Sequence, residues 1–154
     1  MNTLPKTESR VMENTSEYIN ERLNREIEIR VFYLAQNPDQ IDARLDELDE
    51  EWDIERLLQT QAAGLSLFGI LMASHNRKWL LLPFAVAGFL LQHALQGWCP
   101  PVPILRRLGV RTTREINIER YALKALRGDF EQVGSDLEPT QKAKAALASA
   151  QRHL

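Results

Sequence analysis

The sequence predicts an all-α membrane protein, a two-helix transmembrane hairpin flanked by amphipathic cytoplasmic helices. Between Leu57 and Leu105 the only charged residues are Arg77 and Lys78, which divide the tract into two apolar arms. The segments on both sides are polar and repeat apolar residues at helical spacing. The mean hydropathy of -0.32 therefore averages one very apolar third with two polar thirds.

Residues 1–14 are polar without an apolar period, which predicts a loose tail. Residues 15–56 predict two amphipathic helices, because Ser16 and Asn37-Pro38 are good starting signals. Their apolar stripes are Ile19, Leu23, Ile27, Val31 and Leu34 in the first helix, and Ile41, Leu45, Leu48 and Trp52 in the second, acidic helix. The second helix is expected to run directly into the first arm.

Residues 57–98 form the predicted hairpin. The first arm, residues 57–74, is about 27 Å long as a helix, and the hydrocarbon core of a bilayer is about 30 Å thick. The second arm, residues 79–98, is longer and has Trp at both ends. The short loop between them requires an antiparallel pair. We predict interfacial anchors at Trp52, Trp79, Trp98, Arg106 and Arg107.

The chain after the hairpin is predicted to turn and then to form two further helices. Residues 99–111 are an interfacial segment, since the prolines after Cys99 end a helix and the arginines can reach lipid phosphates. In residues 112–154, Thr112 and Glu115 have the form of a capping box. The helix that they open carries Ile116, Leu123 and Leu126 and ends at Gly128, and an Ala-rich helix follows from about Pro139 to Arg152. No strand pattern is present in the sequence.

The distribution of charge predicts orientation and partners. The side of the hairpin away from its turn is richer in arginine, which places both termini in the cytoplasm. The acidic helix in residues 39–55 is opposite in charge to residues 106–127, and it also predicts a cytoplasmic protein partner. We expect Asp46, Glu47, Glu50 and Glu51 to lie near Arg114, Arg120 or Lys124. The net charge of -2 gives no case for nucleic-acid binding.

Small residues predict how the arms pack. A seam on both arms allows another backbone to approach closely, within the hairpin or between two copies, although Gly and Ala are also simply frequent in membrane helices. The seam consists of Ala62, Ser66, Gly69, Ala73, Ala85, Gly88 and Gln92. Polar Gln92, His93 and Gln96 would otherwise face lipid, so we expect a homo-oligomer in the bilayer.

The sequence contains little that indicates reaction chemistry. Cys99, the single cysteine, is a candidate reactive thiol, since neighbouring arginines favour a thiolate, but it also suits a small residue before a turn. His93 is expected to form a hydrogen bond near the interface, because no second ligand is spaced to complete a metal site. We find no catalytic motif and predict no catalytic residue, metal, cofactor or enzymatic activity.

Two short motifs suggest a family. Gly97-Trp98-Cys99-Pro100 and Leu108-Gly109-Val110-Arg111-Thr112, within Arg56–Thr112, resemble the YgaP-like transmembrane domain family, and Glu119–Phe130 looks like the tail of its membrane relatives. The resemblance implies a dimer-prone hairpin of the bacterial inner membrane, an anchor or a passage for a small sulfur species with Cys99 as the reactive position. The rhodanese domain of the family's best-known member has no counterpart in this sequence.

Three interpretations follow. The first is a non-enzymatic inner-membrane protein that acts as a dimerising anchor or a partner-binding module. The second is a small-molecule or sulfur-species transporter or thiol relay that uses Cys99. The third is a soluble helical bundle in which the two arms form the core.

Overall fold

The computed structural model describes Lys6, residues 8–131, Val133 and residues 138–151, and all regular structure in them is helical. This confirms the all-α class. The helices are α1 (Arg10–Glu13), α2 (Glu17–Gln36), α3 (Ile41–Glu50), α4 (Ile54–Met72), α5 (Leu81–Gln96), α6 (Val102–Arg107), α7 (Thr113–Leu126) and α8 (Pro139–Gln151). Short 3-10 turns at Pro38–Gln40 and Arg77–Leu80 precede α3 and α5.

The chain divides into two compact units. The first, which we call the hairpin unit, comprises Met1–Leu23 and Trp52–Arg114. The second, which we call the charged unit, comprises Asn24–Glu51 and Glu115–Leu154. Helices α2 and α7 each begin in the hairpin unit and end in the charged unit.

Helices α4 and α5 pack as an antiparallel pair. Near the turn, a Cβ on Gly69 would lie 2.7 Å from Cδ of Pro83 and 3.2 Å from the carbonyl oxygen of Trp79, so only a glycine fits there. At the opposite end, Glu55 of α4 contacts His93 of α5. The Phe68 and Trp79 rings also meet edge to face, with centroids 5.7 Å apart.

Helix α4 has its own beginning and does not continue α3, so the prediction of a helix running directly into the first arm is wrong. Helix α3 ends at Glu50, and Asp53 accepts a 2.8 Å hydrogen bond from the Arg56 N–H as the N-cap of α4. The Thr113 hydroxyl donates to the other carboxylate oxygen of Asp53. Asp53 therefore ties the start of α4 to the start of α7.

The core of the hairpin unit includes a segment that the sequence predicted to be loose. Its buried residues are Val11, Ile54, Leu58, Cys99, Val102 and Leu105. The prediction of a loose tail through Asn14 is wrong from Arg10 onward, because α1 forms and buries Val11. A helix of four residues is too short to show an apolar period. Residues 1–5 and 7 of the predicted tail lie outside the described residues.

In the charged unit, most residues of the predicted apolar stripes are buried. Its core consists of Leu34, Ile41, Leu45, Leu48, Ile116 and Leu123, with Val31 packed against it. Two stripe residues depart from the prediction: Trp52 belongs to the hairpin unit and is exposed, and Leu126 is also exposed. Helix α8 begins at Pro139 as predicted, and Arg152 lies outside the described residues.

Ion pairs connect α3 to α7 in the charged unit. The buried carboxylate of Glu119 accepts from Arg44 at 2.8 Å and from Arg30 at 3.0 Å. An unpaired buried charge would be strongly destabilising, and here the guanidinium groups of Arg44 and Arg30 compensate the charge of the Glu119 carboxylate. The acidic and basic segments do meet, but through carboxylates other than those expected: Asp49 pairs with Arg120 at 2.7 Å and Asp42 with Arg127 at 2.5 Å. Glu47 and Glu51, which were expected near Arg114, Arg120 or Lys124, lie beside Arg44 of their own helix segment.

Lys124 does not serve as a surface partner for the acidic helix. It is buried, and its ammonium group donates to the Ala150 carbonyl of α8 at 3.0 Å. Burial lowers the pKa of Lys124, because desolvation disfavours the charged form. Lys124 thus connects α7 to α8.

We expect Gly69→Ala to destabilise the hairpin by about 1–3 kcal/mol, because the new methyl group overlaps the Pro83 ring. Gly64→Ala is the matched control: it lies on the same helix, no described atom outside that helix lies within 4 Å of its Cβ position, and it should be neutral or slightly stabilising. Thermal unfolding of both variants in detergent measures the difference. Equal midpoints for the two variants would contradict the close approach at Gly69.

Candidate functional site

The hairpin exposes a broad apolar surface, which we call the apolar belt. Phe84 is 80% exposed. Among the described residues, the helix Arg77–Gln96 is the one long and apolar enough to cross a membrane, and only 6% of the residues in its apolar 18-residue stretch are buried. The belt consists of Leu65, Leu67, Phe68, Ile70, Leu71, Trp79, Leu80, Leu81, Phe84, Phe89, Leu91 and Leu95. Large contiguous apolar patches on a monomer indicate an interaction with protein or lipid.

Helix α4 does not reach the same hydropathy as the helix Arg77–Gln96. Its first turns carry Glu55, Arg56, Gln59 and Gln61, which lower its mean. Its large exposed apolar residues all follow these turns, from Leu65 to Leu71. By length and hydropathy the described part of the chain thus supports one membrane-crossing helix.

The structure buries, fully or partly, five of the seven residues of the predicted small-residue seam and leaves two exposed. On α4, Gly69 is buried, and Ala62, Ser66 and Ala73 are partly buried. On α5, Gln92 is partly buried, but Ala85 and Gly88 are exposed, and no described atom beyond the helix itself lies within 4 Å of a Cβ on Gly88. The side of α5 that is partly or fully buried carries larger residues, namely Leu82, Pro83, Val86, Leu90 and His93.

A polar cluster closes the end of the hairpin away from its turn. Glu55 Oε2 lies 3.0 Å from His93 Nε2, and Arg10 Nη2 donates to Glu55 Oε1 at 2.8 Å. His93 is 2% exposed, and its Nδ1 has no hydrogen-bond partner among the described residues. The hydrogen bond with His93 lowers the pKa of Glu55 to about 2; burial opposes this shift, and Arg10 reinforces it.

This cluster was not predicted from the sequence, although the sequence contains one signal for it. An antiparallel hairpin places the start of α4 beside the end of α5, so an acidic residue at the first position and a histidine at the second are natural partners. The interfacial hydrogen bond expected of His93 therefore has a specific acceptor in Glu55. Arg10 could not be anticipated, because α1 itself was not predicted.

Helix α1 caps the end of α5. Arg10 Nη1 donates to the Ala94 carbonyl at 3.4 Å, and Asn14 Nδ2 donates to the Gln96 carbonyl at 2.8 Å. These are carbonyls of the last helical turn, which need partners from outside the helix. Gly97 ends α5 with a φ of 76°, and a Cβ there would lie 2.5 Å from the Arg10 carbonyl group. Gly97 therefore permits α1 to approach.

Cys99 is a core residue rather than an exposed thiol. It is buried with Val11, Leu58 and Val102. Burial raises the pKa of Cys99; the charge of Glu55 acts in the same direction, while the Val102 N–H acts against it. The expectation that neighbouring arginines favour its thiolate is therefore wrong.

Arg106 is not an interfacial anchor. It is fully buried, and its guanidinium donates to Asn20 Oδ1 at 2.9 Å, to Thr15 Oγ1 at 3.3 Å and to the Val110 carbonyl at 3.1 Å. It therefore fastens the N-terminal segment to α6. The other predicted anchors, Arg107, Trp52, Trp79 and Trp98, are exposed.

Trp52 is also positioned by a charge. The Arg56 guanidinium lies 4.2 Å from the centre of its ring, in a cation–π contact.

No group of three or more His, Cys, Asp or Glu residues that could hold a metal ion occurs in the described part of the chain. The candidate site therefore consists of the exposed apolar belt and of the polar cluster in which Glu55 joins His93 and Arg10.

No protein-family model, curated protein or solved structure matches this chain.

We expect Gly97→Ala to release α1 from the hairpin, because its methyl group meets the Arg10 backbone, which cannot rotate away. Gly109→Ala is the control, since Gly109 also has a positive φ but its Cβ position has no described neighbour within 4 Å. Both variants carry a backbone strain of about 1–2 kcal/mol. Only Gly97→Ala should also speed tryptic cleavage after Arg10; equal cleavage rates would refute the close approach.

We expect Glu55→Gln to lower stability by about 1–2 kcal/mol at pH 7 and progressively less as the pH falls toward 2. The folded-state pKa of Glu55 lies below its ordinary value of 4.5, so its charge stabilises the folded state above pH 4.5 and loses this effect as the pH approaches about 2. Denaturant unfolding in detergent at a series of pH values tests this. Exposed Glu21→Gln is the control, and a wild-type-to-variant difference independent of pH would contradict the assignment.

Proposed function

We propose that this chain is a non-enzymatic integral membrane protein, in which the hairpin of residues 57–98 is inserted in the bilayer and carries the charged unit on the cytoplasmic side. The observation that carries the proposal is the apolar belt, because so much exposed Leu, Ile and Phe is unfavourable in water. The resemblance to the YgaP-like family agrees with this proposal.

The two helices contribute unequally to insertion. The helix Arg77–Gln96 is long and apolar enough to cross a membrane, and we propose that it inserts without help. Helix α4 carries polar residues at its start, and we propose that it inserts because it is paired with α5 through Gly69. The Glu55–His93–Arg10 cluster then lies at the cytoplasmic end, where neighbouring water and headgroups tolerate charge.

The charges near the hairpin support an orientation with both termini in the cytoplasm. The turn exposes Arg77 and Lys78. The opposite side of the hairpin unit exposes Arg56, Arg107 and Arg114, even though Arg106 and Arg111 are buried. Basic residues favour the cytoplasmic side of a membrane, and the side opposite the turn exposes more of them, so we propose that this side is cytoplasmic.

We propose that the hairpin dimerises through the outer side of α5. Ala85 and Gly88 are exposed there, which leaves a shallow strip between the larger side chains of Leu81 and Leu91. Small residues let two membrane helices approach closely.

The charged unit is the proposed site for a cytoplasmic protein partner. The outer face of α3 exposes Asp42, Asp46, Glu47 and Glu50, and the 3-10 turn before it exposes Asp39. We propose a partner with a basic surface. Such charge complementarity speeds association and selects the partner more than it tightens binding.

Two alternative functions receive less support. A thiol relay or transport of a sulfur species requires an accessible thiolate, whereas Cys99 is buried and its pKa is raised. A soluble bundle requires the hairpin to be covered by the rest of the chain, whereas only 6% of the residues in the apolar stretch of the helix Arg77–Gln96 are buried.

The experiment compares two exposed phenylalanines, Phe84 on the belt and Phe32 on α2, which are 80% and 72% exposed. We expect wild-type protein and Phe32→Arg to stay in the membrane pellet after a carbonate wash. Phe84→Arg should reduce retention, because an arginine in a membrane helix is unfavourable, by about 2.5–3.5 kcal/mol at the helix centre and by less toward its ends. Release of the wild-type protein, or equal retention of both variants, would contradict the proposal. Tags at both ends should resist protease in right-side-out vesicles.

A further inference from the structure

The hairpin unit contains a cavity of about 150 Å³ between α4, α5 and the segment Cys99–Pro101. Leu58, Ala62, Val86 and Leu90 form its walls. Apart from the Gln61 amide and the Cys99 thiol, its lining residues are apolar. An apolar lining of this kind offers water few hydrogen-bond partners and accepts hydrocarbon groups, so the site suits a hydrocarbon better than water.

The cavity opens onto the apolar belt. Leu65 and Phe89 both line it, and they are 49% and 47% exposed on the belt itself. Whatever covers the belt therefore has direct access to the cavity. The cavity lies toward the end of the hairpin that carries Trp98 and the Glu55–His93 contact, away from the Arg77–Leu80 turn.

We infer that this cavity binds a segment of one phospholipid acyl chain from the cytoplasmic leaflet. The inference rests on the proposed insertion of the hairpin, which would cover the belt with acyl chains. An acyl chain matches the apolar lining, and Leu65 and Phe89 at the cavity's exposed edge and Cys99 within it would all be in its contact range. Because the site is near the interface, it takes the part of the chain next to the headgroup, and one lipid is thereby held at a fixed position on the protein.

The test uses the whole chain in phosphatidylcholine vesicles that contain a phosphatidylcholine with a photoactivatable diazirine in the upper half of one acyl chain. After irradiation, mass spectrometry locates the labelled residues. We expect labelling of Cys99–Pro101, which lines the cavity, as well as general labelling of the belt around Phe84.

Ala62→Phe fills the cavity and should reduce labelling of Cys99–Pro101 at least tenfold, while labelling around Phe84 is unchanged. Ala63→Phe is the matched control, because Ala63 is the exposed neighbour of Ala62 and does not line the cavity. The smaller substitution Ala62→Leu, which perturbs folding less, should give an intermediate reduction.

The possible failures are distinguishable. Labelling around Phe84 without labelling of Cys99–Pro101 would overturn the cavity inference and leave membrane insertion intact. Unchanged labelling of Cys99–Pro101 in Ala62→Phe would also overturn it, since the probe would then reach these residues from the surface. An absence of labelling at both places would overturn the proposed function as well.

Discussion

The close antiparallel packing of α4 against α5 is the constraint on which the hairpin unit depends. At Gly69 the two backbones approach within a distance that no other residue permits. This approach sets the register of the pair, which in turn places Glu55 beside His93 at the other end. The same packing turns the remaining leucines and phenylalanines outward as the belt. The cavity is the part of the helix interface that the side chains do not fill.

Buried charges connect segments that are distant in sequence, and each unit uses them in the same way. In the hairpin unit, Glu55 joins α1 to α5, and Arg106 joins α6 to the N-terminal segment. In the charged unit, Glu119 joins α7 to α2 and α3. Glu55, which is partly buried, and the fully buried Arg106 and Glu119 each have two or more partners, because an unpaired buried charge would be strongly destabilising. Such groups favour a single arrangement of the helices over alternatives of similar hydrophobic burial.

The sequence predicted the helices with long apolar periods well and the short elements poorly. The stripe from Leu23 to Leu34 and the stripe from Ile41 to Leu48 are buried as expected, because periodicity reports which face is covered. Helix α1 was missed, since four residues show no period and its position depends on Arg10 binding Glu55. Arg106 was expected at the surface, because an arginine can be buried only with hydrogen-bond partners, and the sequence does not show that Thr15, Asn20 and Val110 lie beside it. Spacing alone does not show which face of α5 meets α4, so the sequence left open whether Ala85 and Gly88 pack within the hairpin, and in the structure they are exposed.

The position of Cys99 in the sequence suggested an exposed, reactive thiol, whereas the structure buries this residue. Its position after the second arm suggested an exposed thiol, and the family resemblance assigned possible sulfur chemistry to it. In the folded protein the same position packs among Val11, Leu58 and Val102 and forms one wall of the cavity. Its small, weakly polar side chain leaves that space open, whereas a larger residue would fill it. The small size of the Cys99 side chain, rather than its reactivity, is therefore the property that bears on this apolar cavity.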